Sequence, residues 1–341
     1  MIRSCAALVL LMLAMLDVAR AATPPQTAAG AVQPANWTGL RAPPPNATPP
    51  GPVHVGVFLY SVQELDVAKH TFRVSFNIWW RYRGESYDPI ATLQVVGARS
   101  TTVVLDDRRA LPDGETYVDA RVDAVIERAL DTSAFPFDRH RLRIEIESPY
   151  EDDYLHFVVD SEDSMLDPET YSPGWRITEF TVHEERKRYP THFGLHERSN
   201  DQYSRAVVEV TAQRQGWRLA IDYFIGFITS VLICLLGYLV HPRLLPARAT
   251  IIGTAVFAAV GNKYVVNSLT GASLGARLVN VVTVTSFTMV LILMLSSIAC
   301  ERMIEAGDRE RAMRTNRNVG VAAAIGCILV TVYVVWAALK G

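Results

Sequence analysis

The chain has 341 residues, half of them hydrophobic and a fifth charged, with a formal net charge of −2. That length leaves room for two domains. The near-neutral charge, with no basic patch carrying interleaved aromatics, excludes a general nucleic-acid binder.

Residues 1–22 read as a secretory signal peptide. Arg3 gives a positive start, Ala6–Leu16 an apolar stretch, and Ala19-Arg20-Ala21 a small-x-small cleavage site. The apolar run is shorter than the ~20 residues a spanning helix needs, so cleavage near Ala21 or Ala22 places the mature N-terminal region outside the cytoplasm. Residues 23–52, with Pro43-Pro44-Pro45 and Pro49-Pro50, read as an extended, disordered arm. Of the four cysteines, Cys5 lies in the signal peptide, and Cys234, Cys300 and Cys327 lie in or beside later apolar segments. The exported region therefore has no thiol for a disulfide, a metal site or a nucleophile.

From Val53 the pattern alternates. Val53, Val55, Val57 and Leu59 share one face. Val74, Phe76, Ile78 and Trp80 alternate with Arg73, Ser75, Asn77, Trp79 and Arg81, and Leu142, Ile144 and Ile146 with Arg141, Arg143, Glu145 and Glu147. Period two predicts half-buried strands. Turn signals at Pro112-Asp113-Gly114 and Ser172-Pro173-Gly174 predict an antiparallel sandwich over 53–214.

Beyond Gln215, four apolar stretches, at about 217–240, 249–269, 276–299 and 319–339, are each long enough to cross a bilayer as a helix. The second carries Thr250, Thr254, Asn262, Lys263 and Asn267, a set that must face protein or water rather than lipid. Arginines crowd the connectors His241–Arg248 and Glu301–Arg317. The positive-inside rule puts those connectors in the cytoplasm and the C-terminus outside.

This order of parts resembles the pentameric ligand-gated ion channels, the Cys-loop receptor superfamily, in prokaryotic form. Four stretches carry the likeness: Val55-Gly56-Val57-Phe58-Leu59 through Asn77-Ile78-Trp79, Phe135-Pro136-Phe137-Asp138, Gly174-Trp175-Arg176-Ile177, and Arg214 before the first membrane helix. The cysteines that flank the signature loop elsewhere in the superfamily are absent. The resemblance implies an extracytoplasmic all-β immunoglobulin-like sandwich, a four-helix transmembrane bundle and a homopentamer in a cell membrane, opened by a small molecule or ion.

In the second membrane helix, spacings of three and four align Thr250, Thr254, Phe257, Gly261, Val265 and Ser268. Hydroxyls near the cytoplasmic end, and then a large apolar ring, suit a wet pore with a dewetting constriction. Small residues that let helices pack closely give the same pattern; the resemblance favours pore lining. Pro246-Ala247-Arg248 precedes the stripe as in anion-selective members, and no acidic residue lies between His241 and Leu269. An anion-permeable or weakly selective pore is implied. Arg248 equally suits an interfacial, topology-setting role.

The resemblance also implies a ligand site between subunits. Trp79 stands on the polar face of its strand and matches the aromatic of the complementary side, while Tyr150, Tyr189, Phe193 and Tyr203 match the principal side. Such an aromatic cage suits a cation, whereas Arg81, Arg121, Arg186 and Arg188 suit an anion; the residues leave that choice open. Tyr150 and Tyr203 also read as strand-pairing aromatics. Coupling to the membrane falls to Phe135, Pro136, Phe137 and Asp138, with Asp138 facing Arg214, and to Asp66 and Lys69 facing Leu269–Ser273.

The acidic run Glu151-Asp152-Asp153 with Asp160, Glu162, Asp163 and Asp167 has no metal-loop spacing and reads as solvated surface. No metal and no cofactor is expected. Catalytic motifs are absent from the sequence, so no enzymatic activity is expected. A non-conducting membrane receptor with the same fold is the rival reading.

Overall fold

The computed structural model describes residues 49–340 except 85, 171, 191–201, 216 and 271–276. The signal peptide, nearly all of the arm, Phe193 and residues 271–273 lie outside the described residues. The described chain forms two compact units. One holds residues 49–130 and Arg139–Arg214; the other holds Asp131–Asp138 and residues 215–340.

The first unit is built from ten strands: β1 (Pro52–Asp66), β2 (Thr71–Tyr82), β3 (Gln94–Val95), β4 (Ala98–Ala110), β5 (Thr116–Glu127), β6 (Arg139–Glu147), β7 (His156–Val159), β8 (Met165–Leu166), β9 (Trp175–Arg188) and β10 (Gln202–Arg214). One sheet runs β4-β5-β2-β1-β7, with β8 also on β1; the other runs β3-β6-β10-β9. Alternation sorts the side chains as expected. Val55, Val57, Phe76, Ile78 and Val122 of the first sheet share one core with Leu142, Ile144, Val208 and Val210 of the second. The sheets are not wholly antiparallel, because β7 and β8 pair with β1 in parallel. The preceding strand β6 belongs to the other sheet, so β7 is not joined to β1 by a tight hairpin and is free to pair with it in parallel.

On the outer face of the larger sheet, Gly56 of β1 lies opposite Trp79 of β2. The indole covers that glycine so closely that a Cβ on Gly56 would stand 2.1 Å from the ring.

The second unit has four helices, α1 (Trp217–Gly237), α2 (Leu245–Thr270), α3 (Arg277–Glu305) and α4 (Arg309–Lys340), all long and apolar enough to cross a membrane. The connectors are shorter than expected. Leu245–Arg248 already belongs to α2, with Pro246 in its first turn, where a missing N–H costs nothing. The segment 301–317 is almost wholly helical, broken only at Ala306–Asp308. Hydropathy ends a span at its first charges, but a helix leaving the bilayer keeps its backbone bonds in water. The break has its own chemistry. Gly307 adopts φ 84°, Asp308 N–H returns to the Met303 carbonyl at 2.9 Å, and the Asp308 carboxylate caps the Arg311 N–H at 3.2 Å.

The loop Asp131–Asp138 belongs with these helices. Phe135 stacks on Tyr223 of α1 at 5.3 Å and packs with Phe224, Phe227, Ala259, Val266 and Val279.

Gly56→Ala is expected to destabilise the β unit by about 1–3 kcal/mol through overpacking. In a Trp79→Ala background that cost should vanish; thermal melting of the double-mutant cycle measures it.

Candidate functional site

Two regions concentrate functional side chains, one on each unit. In the helical unit, α2 has two unlike faces. Arg248, Ala255, Ala259, Asn262, Val266 and Thr270 turn inward. Pro246, Ala247, Thr250, Thr254, Phe257, Gly261, Val265 and Ser268 are all exposed, Phe257 at 82%. The whole stripe expected from the 3.6-residue spacing thus lies on the face that the chain's other helices leave uncovered. Its hydroxyls donate to their own helix, Thr250 to the Pro246 carbonyl at 3.1 Å and Thr254 to that of Thr250 at 3.0 Å, which leaves their oxygen lone pairs outward.

Arg248 is not on that exposed stripe; its side chain is 0% exposed. Its guanidinium donates to the Val240 carbonyl at 3.1 and 2.6 Å, to Ser297 Oγ at 3.2 Å and to Asn316 Oδ1 at 2.6 Å. Asn316 in turn donates to the Tyr238 carbonyl at 2.9 Å. The carbonyls just past the end of α1 have no partner within that helix and carry the negative end of its dipole, so they meet a buried cation well. A second lock sits farther along α2. The Asn262 amide donates to the Tyr223 carbonyl at 2.9 Å and accepts the Gly226 N–H at 2.9 Å. Gly226 permits this, since a Cβ there would lie 2.6 Å from that of Asn262.

In the β unit, the outer face of the larger sheet presents Trp79 over Gly56, flanked along β2 by Asn77 and Arg81. Arg121 of β5 lies over the Tyr60 ring at 4.8 Å. Asn77 Oδ1 is buried without a hydrogen-bond partner. Arg81 is half-buried and makes no ion pair among the described residues, unlike Arg186, which is held by Asp152 at 3.1 Å. Asp119 stands in register with Trp79. Burial, and then the carboxylate of Asp107, raise Asp119 above the ordinary carboxylate range.

Among the described residues, the tyrosines pack against other side chains. Tyr150 is buried in the shared core, tilted against Tyr154 at 5.0 Å. Tyr203 is buried edge-on to Tyr189 at 5.4 Å. Beside them lies a buried ionic cluster that the alternation pattern assigns to solvent. Glu147, 2% exposed, and Glu145 flank Arg205, 4% exposed. Arg205 contacts Glu147 directly, reaches Glu145 at 2.8 Å and donates to Tyr189 Oη at 2.6 Å. Arg128 reaches Glu145 from the other side at 2.8 Å. Burial pushes the Glu145 carboxyl up, yet Arg128, Arg205 and Arg143 together hold it below the usual range. Glu147 goes the other way, because its deeper burial outweighs Arg205.

Asp66 pairs with Lys69 within the β1–β2 turn at 2.9 Å. Arg214 lies over the Trp175 ring at 4.2 Å, Phe135 packs on α1, and Asp138 is buried.

No family model matches the chain. A proton-gated ion channel of Gloeobacter violaceus is 27% identical to it over 162 residues, which span 41% of this chain and 45% of that protein.

Asn316→Leu removes one acceptor from the Arg248 guanidinium and the donor to the Tyr238 carbonyl. It should cost the solubilised protein about 1–3 kcal/mol, whereas Thr254→Ala on the exposed face should stay within about 0.5 kcal/mol; thermal melting distinguishes them. A carboxylate depressed in the folded state stabilises at pH above its unfolded value and loses that contribution as pH falls through its folded value. Glu145→Gln should therefore flatten the acid limb of a stability–pH curve.

Proposed function

We propose that the chain is a subunit of a pentameric ligand-gated ion channel, with the β unit outside the cytoplasm and five copies of α2 lining the pore. The observation that carries this reading is the uncovered face of α2. A membrane helix whose hydroxyl-bearing side is left bare by its own bundle needs water or other subunits there. The similarity to a proton-gated channel supports the same class. Thr250 and Thr254 line the cytoplasmic half, and Phe257 forms the dewetting constriction. With Arg248 bound inside the bundle, the absence of acidic rings is the remaining argument on selectivity, and the pore is weakly selective. The loop Phe135–Asp138, whose Phe135 packs on α1, transmits ligand occupancy to the helices.

The ligand site lies on the face of Trp79. An indole platform beside a guanidinium that makes no ion pair among the described residues suits a small anion such as a carboxylate, held by Arg81 and stacked on Trp79. A second reading, favoured by Asp119 and by the relative's gating, makes the proton the agonist. In that case protonation of Asp119 beside Trp79 is the triggering event.

Purified protein in planar bilayers with asymmetric potassium chloride should show current on acidification or on adding small carboxylates, with a reversal potential near zero. Phe257→Ala should raise the resting current. Arg81→Gln should abolish the carboxylate response and leave the acid response, and Asp119→Asn the reverse. A silent bilayer under all these conditions, with the protein shown to be inserted, would sink the channel reading.

A further inference from the structure

The tyrosines and glutamates around Arg205 have the composition of a receptor for a guanidinium. Carboxylates supply charge on two sides, Glu147 in direct contact and Glu145 at 2.8 Å. Tyr189 offers both its hydroxyl at 2.6 Å and its ring, whose centre lies 5.6 Å from the guanidinium carbon. Tyr203 closes the Tyr189 side edge-on. Ring face, hydroxyl and paired carboxylates are the groups that bind a desolvated cation strongly. The group they bind here is the chain's own side chain, delivered from the middle of the sheet by β10.

Because β10 pairs with β6 on one side and β9 on the other, with Arg205 opposite both Glu147 and Glu185, the guanidinium is anchored at its root as well as its tip. It is not a surface arginine that swings between solvent and a partner. Arg143, which meets Glu185 and lies 3.1 Å from Glu209, and Arg128 on Glu145 complete a cluster in which each buried carboxylate already has a cation.

We propose that Arg205 is the resident occupant of a cation-binding cage on the outer face of the four-stranded sheet, and that its presence closes this face to cations from solution. Arg205 is then a specificity-determining residue. The aromatic side of the β unit, which by composition suits an amine or a guanidinium, accepts neither while Arg205 is in place.

The cage can be emptied and refilled. Arg205→Ala removes an ethylguanidinium fragment, and ethylguanidinium chloride in the low millimolar range is the matching probe. The full-length variant in detergent should melt below the wild type and recover saturably as the probe is added, with sodium chloride at equal ionic strength giving no recovery. The wild type should not respond. Arg205→Ala combined with Tyr189→Phe should keep part of the recovery through the ring, and combined with Tyr189→Leu should lose it. Equal responses of wild type and variant, no recovery, or recovery undiminished by Tyr189→Leu would each reduce the cluster to an ordinary ion-pair ladder. If Arg205→Ala folds neither alone nor when expressed and purified with the probe, the proposal fails as well. Melting temperature is the readout, so the result is independent of whether the protein conducts.

Discussion

A guanidinium cannot shed its charge to enter a membrane bundle, and the helical unit is arranged around that constraint. Arg248 has no carboxylate within salt-bridge distance among the described residues. It is met instead by the carbonyl just past the end of α1, a serine of α3 and an asparagine of α4. Three neighbours thus converge on one side chain of α2. Once Arg248 points inward, the helical repeat sets the rest of that face, and Ala255, Ala259, Asn262, Val266 and Thr270 come to the packed side. The rotation of α2, and with it the uncovered stripe from Thr250 to Ser268, is a result of where the arginine must go.

The rest of the interface between α1 and α2 uses small residues and amide bonds, as membrane helices do when burial of apolar surface gives no advantage over lipid. Ser230 donates to the Ala255 carbonyl at 2.8 Å. The Asn262 amide takes up a backbone carbonyl and a backbone N–H of α1 at the point where Gly226 leaves room. Polar groups that would be expensive in hydrocarbon are in this way turned to backbone partners of the same chain.

Much of this is legible in the residues, and the failures have physical causes. Strand faces and the exposed stripe of α2 come from periodicity, because a sheet and a helix each repeat at a fixed interval, and the four helices come from apolar runs long enough to cross a bilayer. Hydropathy misplaces the helix ends because the apolar run marks the membrane, not the hydrogen-bond ladder, and Glu301–Arg317 keeps its ladder outside. The burial of Arg248 is not legible, because a charge beside an apolar segment ordinarily reads as exposed; nothing local reveals that Ser297 and Asn316, 49 and 68 residues away, come to meet it. Glu145 and Glu147 alternate as a solvent face should, yet lie buried, because Arg205 of β10 and Arg128, just past β5, reach them from elsewhere in the unit. Asn262 reads as a polar residue in need of protein or water, and its partners are backbone atoms that no side-chain pattern encodes.

The missing side chain at Gly56 has an effect beyond making space. With the indole of Trp79 laid into that gap, the ring is held against Gly56 before anything approaches rather than left to sample solvent. Ordering a flexible aromatic on association opposes binding by about 0.5–1.5 kcal/mol; here that ordering is accomplished during folding. A molecule that stacks on this surface meets a rigid plate, so its residence depends on fit to a fixed shape and not on recruiting a mobile one.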